Sequence, residues 1–276
     1  MLTVPLQQKL MTRTEGRFPL ELLAAVVLTV IWLQLTPSGL LGKADAVGYA
    51  VCHRIALHSF HLGERPLSLC ARCSGQYLGF ALGLIFQVGA GSRRAGGLPG
   101  RGIRVLAVIL GTAYAVDGLN SVLTLQPGAA VPALYQPRNE LRFLTGFGAG
   151  LALSLFFLPY WNRLVWQEPT AQPALQKSRW FGLAGAALAV IGLYLTENPL
   201  VLYPLTLAAA AGVILVLTAA YSAAWVIVLR WENQFQNWSG LTRPAALGLL
   251  SALMQIAALD LIRYWLTGSW SGFHLG

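Results

Sequence analysis

Apolar residues gather in long runs separated by polar connections, and the alternation of a half-buried strand is nowhere sustained. The runs cover residues 20–35, 74–90, 103–125, 141–161, 180–196, 200–229 and 245–266. Most approach or exceed the roughly 20 residues a helix needs to cross a bilayer, where every backbone polar group must be satisfied within the helix. The pattern predicts an all-α fold, a polytopic transmembrane bundle of about seven helices. The first run is short for a crossing, so it is expected to extend past Thr36 or to tilt little. Three basic residues precede it without a small-residue cleavage site, as expected of a retained first helix. The longest polar interruption, residues 36–73, becomes a loop between helices 1 and 2.

Composition agrees with the pattern. The chain is 56% hydrophobic and 11% charged, far from the quarter or so of charged residues in soluble domains. A formal charge of +9 would suggest nucleic acid in a soluble protein, but the basic residues sit in the connections, so the expected partner is the lipid bilayer and no nucleic acid. On the seven-helix reading one side carries Lys9, Arg13, Arg17, Arg93, Arg94, Arg101, Arg104, Arg163, Lys177, Arg179, Arg230 and Arg243. The other carries half as many: Lys43, Arg54, Arg65, Arg72, Arg138 and Arg142. Lys and Arg favour the cytoplasm, which predicts a cell-membrane protein with a cytoplasmic N-terminal segment (1–19) and an extracytoplasmic loop.

That loop holds the chemistry. Residues 52–73 read CHRIALHSFHLGERPLSLCARC and contain all three cysteines of the chain and three of its four histidines. Cys70 and Cys73 form a Cys-x-x-Cys pair, whose turn directs two sulfurs at one centre. Gly63-Glu64-Arg65-Pro66 predicts a tight hairpin that would bring Cys52 and His53 back to the pair. The expected metal ligands are Cys52, Cys70, Cys73 and one histidine, His53 or His61, with zinc the expected ion and iron or copper the alternatives. Three other fates stay open for these residue types: a structural disulfide, a redox dithiol with Cys73 at a helix start beside Arg72, and inert thiols.

Asp117 lies within an apolar run, where a carboxylate needs a partner or a cavity, and Asn120 shares its helix face. With His58 it is a candidate proton carrier. Arg54, Arg65, Arg72, Arg138 and Arg142, with Asn139, are expected to line an anion pocket for a lipid head group. Asp260 and Arg263, three apart, suggest a structural ion pair, whereas His274 and Glu197 suggest no role. Gly75, Gly79 and Gly83 recur at the spacing that lets helix backbones approach, and Trp231, Phe235 and Trp238 predict one face of an interfacial segment.

The run from Cys52 to Gly83, with its Cys-His, Arg-Pro-Leu and Cys-Ala-Arg-Cys-x-Gly-x-Tyr-Leu-Gly elements, resembles an uncharacterised family of predicted prokaryotic membrane proteins, domain of unknown function 2085. A looser block, Asp117-Gly118 followed by Asn139, Arg142, Thr145 and Gly146, is similar to the same family. The resemblance implies that both blocks serve one site within a four-helix core (20–161), and that residues 162–276 are an added helical extension. It implies no reaction. Three functions are therefore carried forward: a zinc site for metal-assisted hydrolysis or group transfer on an anionic lipid head group, a thiol-disulfide oxidoreductase exchanging electrons with a membrane quinone through Cys70 and Cys73, and a non-enzymatic accessory subunit of a larger membrane complex.

Overall fold

A computed structural model describes residues 20–124 and 133–271; the N-terminal basic residues and His274 lie outside them. All seven apolar runs form helices, and an eighth helix stands in the expected loop. In chain order these are α1 (Leu20–Leu35), α2 (Gly39–Val51), α3 (Ala71–Gly89), α4 (Arg101–Leu123), α5 (Asn139–Val165), α6 (Trp180–Leu195), α7 (Pro199–Val228) and α8 (Thr242–Thr267). Four helical segments, built on α4, α5, α7 and α8, are long and apolar enough to cross a membrane by themselves. The bent pair α1–α2 makes a fifth if taken as one span. The expected all-α bundle is present; by length and composition four or five spans are counted among the described residues, since α3 does not meet that test and α6 is a shorter apolar helix of 16 residues.

The unforeseen helix follows from Pro37. A proline lacks the N–H that would continue α1 and pushes Thr36 out of helical geometry, so the chain turns by 108° into α2. Lys43, one turn into α2, reaches back to the end of α1, where Nζ donates to the Leu33 and Thr36 carbonyls. A cation there satisfies carbonyls that the broken helix leaves open.

Helices α3 and α5 form the central seam. A methyl group placed on Gly75 or Gly79 would run into the carbonyls of Phe143 or Phe147, and one on Gly146 or Gly150 into those of Arg72 or Gln76. Small residues at four-residue intervals on both helices thus permit backbone contact, as the glycine spacing predicts. One apolar cluster joins Trp32 of α1, Val47 of α2, Leu78 of α3, Phe143 of α5, Leu202 of α7 and Ile256 of α8. The C-terminal helices therefore share the core of the preceding ones.

Two small sheets close the ends. At one, β1 (His61–Leu62) and β2 (Arg65–Pro66) make the predicted antiparallel hairpin, pairing His61 with Pro66 and Leu62 with Arg65. Gly63, at φ +61°, supplies the left-handed residue the turn needs. At the other end β3 (Ala95–Gly97) lies parallel to β4 (Thr170–Pro173). There Phe235 bridges to Trp166 and Trp238 meets the Trp166 ring at 5.0 Å, so these aromatics pack on the bundle as well as facing outward.

Candidate functional site

Cys52 caps the C-terminus of α2, and Cys70 caps the N-terminus of α3 with Cys73 one turn inside. The hairpin returns the chain between them, with the Leu67 amide on the Phe60 carbonyl at 2.9 Å. As a result the three sulfurs lie within 4.8 Å of one another. Cys52 and Cys70 are buried and Cys73 is half-buried, and all three are free thiols. Two sulfurs each about 2.3 Å from one tetrahedral metal are about 3.8 Å apart, so the cluster is within about an ångström of ligating geometry.

Cys52 is the thiol of the three whose surroundings most favour the thiolate. Its Sγ accepts the amides of Arg54 and Cys70, both at 3.4 Å. Hydrogen bonds from the Cys70 and Cys73 thiols, outweighing burial, hold its pKa well below the ordinary thiol value. The same contact pushes Cys70 up to about 12, because its proton is engaged by the Cys52 sulfur. The Arg54 amide reaches that sulfur because Arg54 adopts φ +53°, an unusual conformation for a residue with a side chain. Its guanidinium fixes it there, donating to the Trp270 carbonyl at 3.0 Å and pairing with Asp45 at 3.1 Å.

The histidines stand apart. The group of potential ligands within 4.8 Å contains three cysteines and no imidazole among the described residues, in place of the expected fourth ligand. His53 Nδ1 accepts the Ile55 amide at 3.0 Å, which turns the ring along its own loop. His61 is exposed on the hairpin. His58 is buried edge-on to His53, ring centroids 5.5 Å apart. Burial, aided by the positive charge of Arg142, brings its pKa down to about 4, and His53 is lowered as well, chiefly by burial.

The expected anion pocket is divided among partners. Asp45 takes Arg54 and, at 2.5 Å, Arg65, and also accepts the Ser68 hydroxyl at 2.7 Å. Arg72, between the paired cysteines, turns away from the sulfurs to the buried Asp117 of α4. Its guanidinium donates through Nε at 3.1 Å to Asp117 Oδ2, and through its terminal nitrogen to the Asp117 carbonyl (3.0 Å) and Ser121 Oγ (2.8 Å). Tyr135 donates to Asp117 Oδ1 at 2.8 Å and Thr145 to Oδ2 at 3.4 Å. Asp117 is thus an anchor whose lone pairs are occupied, not the free proton carrier expected from sequence. Arg142 donates to Asn139 at 2.8 Å and to Ser121 at 3.4 Å, while Asn139 holds the Leu57 and Ser59 carbonyls of the cysteine loop. Arg138, exposed before α5, has no side-chain partner among the described residues.

Both sequence blocks therefore converge on Arg72. Asn120 closes the far side, its side chain bonding the backbone of Leu134 and Tyr135. Two contributors were missed by sequence reasoning. Asp45 carries no signal beyond a charge in a mixed segment. Arg263 of α8 donates to the carbonyls of Tyr49 (2.6 Å) and Cys52 (2.7 Å) and lies 4.0 Å from the Tyr49 ring centroid. An arginine in an apolar helix is a signal; the sequence suggests Asp260 as its partner, and Asp260 also accepts the Trp32 indole at 2.9 Å.

Comparison with known proteins agrees with this unit. Residues 52–156 match the family model of a predicted membrane protein, domain of unknown function 2085, and the match begins on the first cysteine of the cluster. An uncharacterised protein of Methanocaldococcus jannaschii is 28% identical over 123 residues, 45% of this chain and 71% of that one. No solved structure matches.

Proposed function

We propose that this membrane protein binds a thiophilic cation, zinc, through Cys52, Cys70 and Cys73 at its extracytoplasmic end. The observation that carries the reading is the convergence of three buried or half-buried sulfurs within 4.8 Å, with the pKa of Cys52 lowered by the thiols beside it. Cation binding would displace the thiol protons and answer a buried negative charge, the usual logic of thiolate sites. The donor set fits the ion, being all sulfur with no ammonium or guanidinium inside it. The arginine-rich end of the bundle is the cytoplasmic one by the positive-inside rule, which puts the cysteines outside.

Three protein ligands leave a fourth position for water or a substrate atom, as in catalytic zinc sites, where bound metal supplies Lewis acidity and lowers the pKa of water. The reaction class this suits is hydrolysis or group transfer on an anionic lipid head group. The chain's own residues then act as follows. Arg263 and Arg54 hold the Cys52 loop, Arg72 ties the cysteine pair to Asp117, His58 remains a neutral acceptor at physiological pH, and Arg138 offers its unpaired charge to the anion.

The same proximity favours a second reading, a redox dithiol that passes electrons to a quinone. One experiment separates them: elemental analysis of the purified chain with a free-thiol count. The metal reading expects about one zinc per chain, lost in the double variant Cys70→Ser, Cys73→Ser. A metal-free protein whose thiol count changes by two on mild oxidation would replace it with the dithiol.

A further inference from the structure

The arginines at the opposite end of the bundle have a different setting from those around the cysteines. A polar cavity of about 230 Å³ opens there between the turn after α3, strands β3 and β4, and the approach to α6. Among the described residues its charged lining consists of Arg94 and Arg179, with Ser92, Thr170, Gln172 and Gln176 supplying hydroxyls and amides, and no carboxylate lines it. Arg94 is held in place: its guanidinium stacks 4.8 Å from the centroid of the Trp166 ring and donates to the Gln236 carbonyl. Trp166 is itself fully buried and anchored through its indole N–H to the Arg93 carbonyl at 2.9 Å and Asn162 Oδ1 at 3.0 Å. Arg179 is half-buried; its backbone amide donates to the Gln176 carbonyl at 3.0 Å, and its guanidinium has no hydrogen bond or ion pair among the described residues.

Two like charges sharing a small polar cavity repel each other unless an anion lies between them. We propose that this cavity binds a phosphate-bearing anion, with Arg94 and Arg179 as its guanidinium partners and the amides and hydroxyls of the rim satisfying the remaining oxygens. A planar guanidinium matches phosphate oxygens in bidentate fashion, and a volume of 230 Å³ admits a single phosphate group with its first ester substituent. The phosphate can belong to an anionic lipid head group or to a free ion, since the chemistry of recognition is shared.

The full chain, purified in nonionic detergent, is titrated with inorganic phosphate; in a second arm it is placed in phosphatidylcholine nanodiscs containing phosphatidylglycerol, and lipid retention is read by native mass spectrometry. Arg179→Gln is expected to weaken binding about tenfold, the scale of one charged hydrogen-bonding partner. Arg179→Lys is expected to retain most of it, and Arg101→Gln, an exposed arginine outside the cavity, to leave it unchanged. Saturation in the lipid arm alone identifies a head group, and saturation in the phosphate arm alone a free anion. No binding in either arm, or an equal loss with Arg101→Gln, would overturn the proposal in favour of a diffuse basic surface.

Discussion

Arginines serve both ends of the bundle, but they meet different partners. Around the cysteines, Arg54, Arg65 and Arg72 face the carboxylates of Asp45 and Asp117. At the other end Arg163 donates to the Gly96 carbonyl at 2.5 Å, and Arg94 to a carbonyl and an indole face. A carboxylate cancels charge and lets a guanidinium be buried, whereas a carbonyl orients it and leaves the charge in place. The contrast separates two settings: Arg54, Arg65 and Arg72 are neutralised by carboxylates beside the sulfur cluster, whereas Arg94 and Arg163 are oriented by carbonyls and keep their charge.

The seam that both ends share offers the most severe way to break the comparison. Gly150→Leu would force a side chain into the Gln76 carbonyl and the Phe80 amide, so the α3–α5 contact must open. Overpacking costs about 1 to 3 kcal/mol and occasionally more; against backbone the cost falls at the upper end, and both ends should fail together. Loss of the monodisperse peak in detergent sizing, with loss of the zinc that the proposed site would hold, is the expected result. A folded Gly150→Leu protein would show that the seam is not the common support.

Next in size are two substitutions that damage one end each. Asp117→Asn leaves the Arg72 guanidinium, 16% exposed, without its counter-charge, a change worth about 3 kcal/mol for a largely buried pair. Because Arg72 lies between Cys70 and Cys73, zinc affinity should fall with stability. Asn162→Ala removes the bonds to the Ser92 and Ala95 carbonyls and to the Trp166 indole, costing about 2 kcal/mol. It should spare zinc and disturb the Arg94 cavity through Trp166. Thermal midpoints with metal content on both variants test the separation, and equal zinc loss in the two would refute it.

What could be read from sequence follows the range of the interactions. The hairpin, the Cys-x-x-Cys turn and the glycine spacing are local patterns, and the structure contains all three. Helix α2 was hidden because Lys43, Asp45 and three glycines dilute its apolar content, although Pro37 marked the break. Spacing does not say which way a ring turns: His53 Nδ1 accepts a neighbouring amide, and no imidazole joins the three sulfurs within 4.8 Å among the described residues. The arginines were over-read for a related reason, since their carboxylates lie 9 to 45 residues away in sequence, Asp45 from Arg54 and Asp117 from Arg72. Carbonyl partners, such as those of Arg263, leave no trace in residue type at all.

A pH titration sharpens the picture at the cysteine end. With a folded pKa of about 4, depressed chiefly by burial, against about 6.5 for a free imidazole, His58 resists protonation that the unfolded chain accepts. Its effect on stability is therefore absent above pH 6.5 and grows unfavourable as pH falls from about 6.5 to about 4, reaching on the order of 3 kcal/mol. In the same interval His58→Gln should flatten the decline in thermal midpoint. An unchanged slope in that variant would assign the decline to other groups.

The smallest expected effect is at Asp45, where one carboxylate serves two arginines of unequal burial. The Arg65 side chain is 44% exposed and that of Arg54 8%. An exposed ion pair is largely screened by water and salt and contributes at most about 1 kcal/mol, so Arg65→Ala should lower stability by a few tenths to 1 kcal/mol and leave zinc binding intact. Arg54 and Ser68 still hold the carboxylate in that variant, and the Cys52 loop keeps its anchor. A loss of zinc from Arg65→Ala would mean that the hairpin, through its exposed strand, governs the cluster more directly than burial suggests; comparison of zinc content at low and high salt distinguishes that outcome from simple weakening of a surface pair.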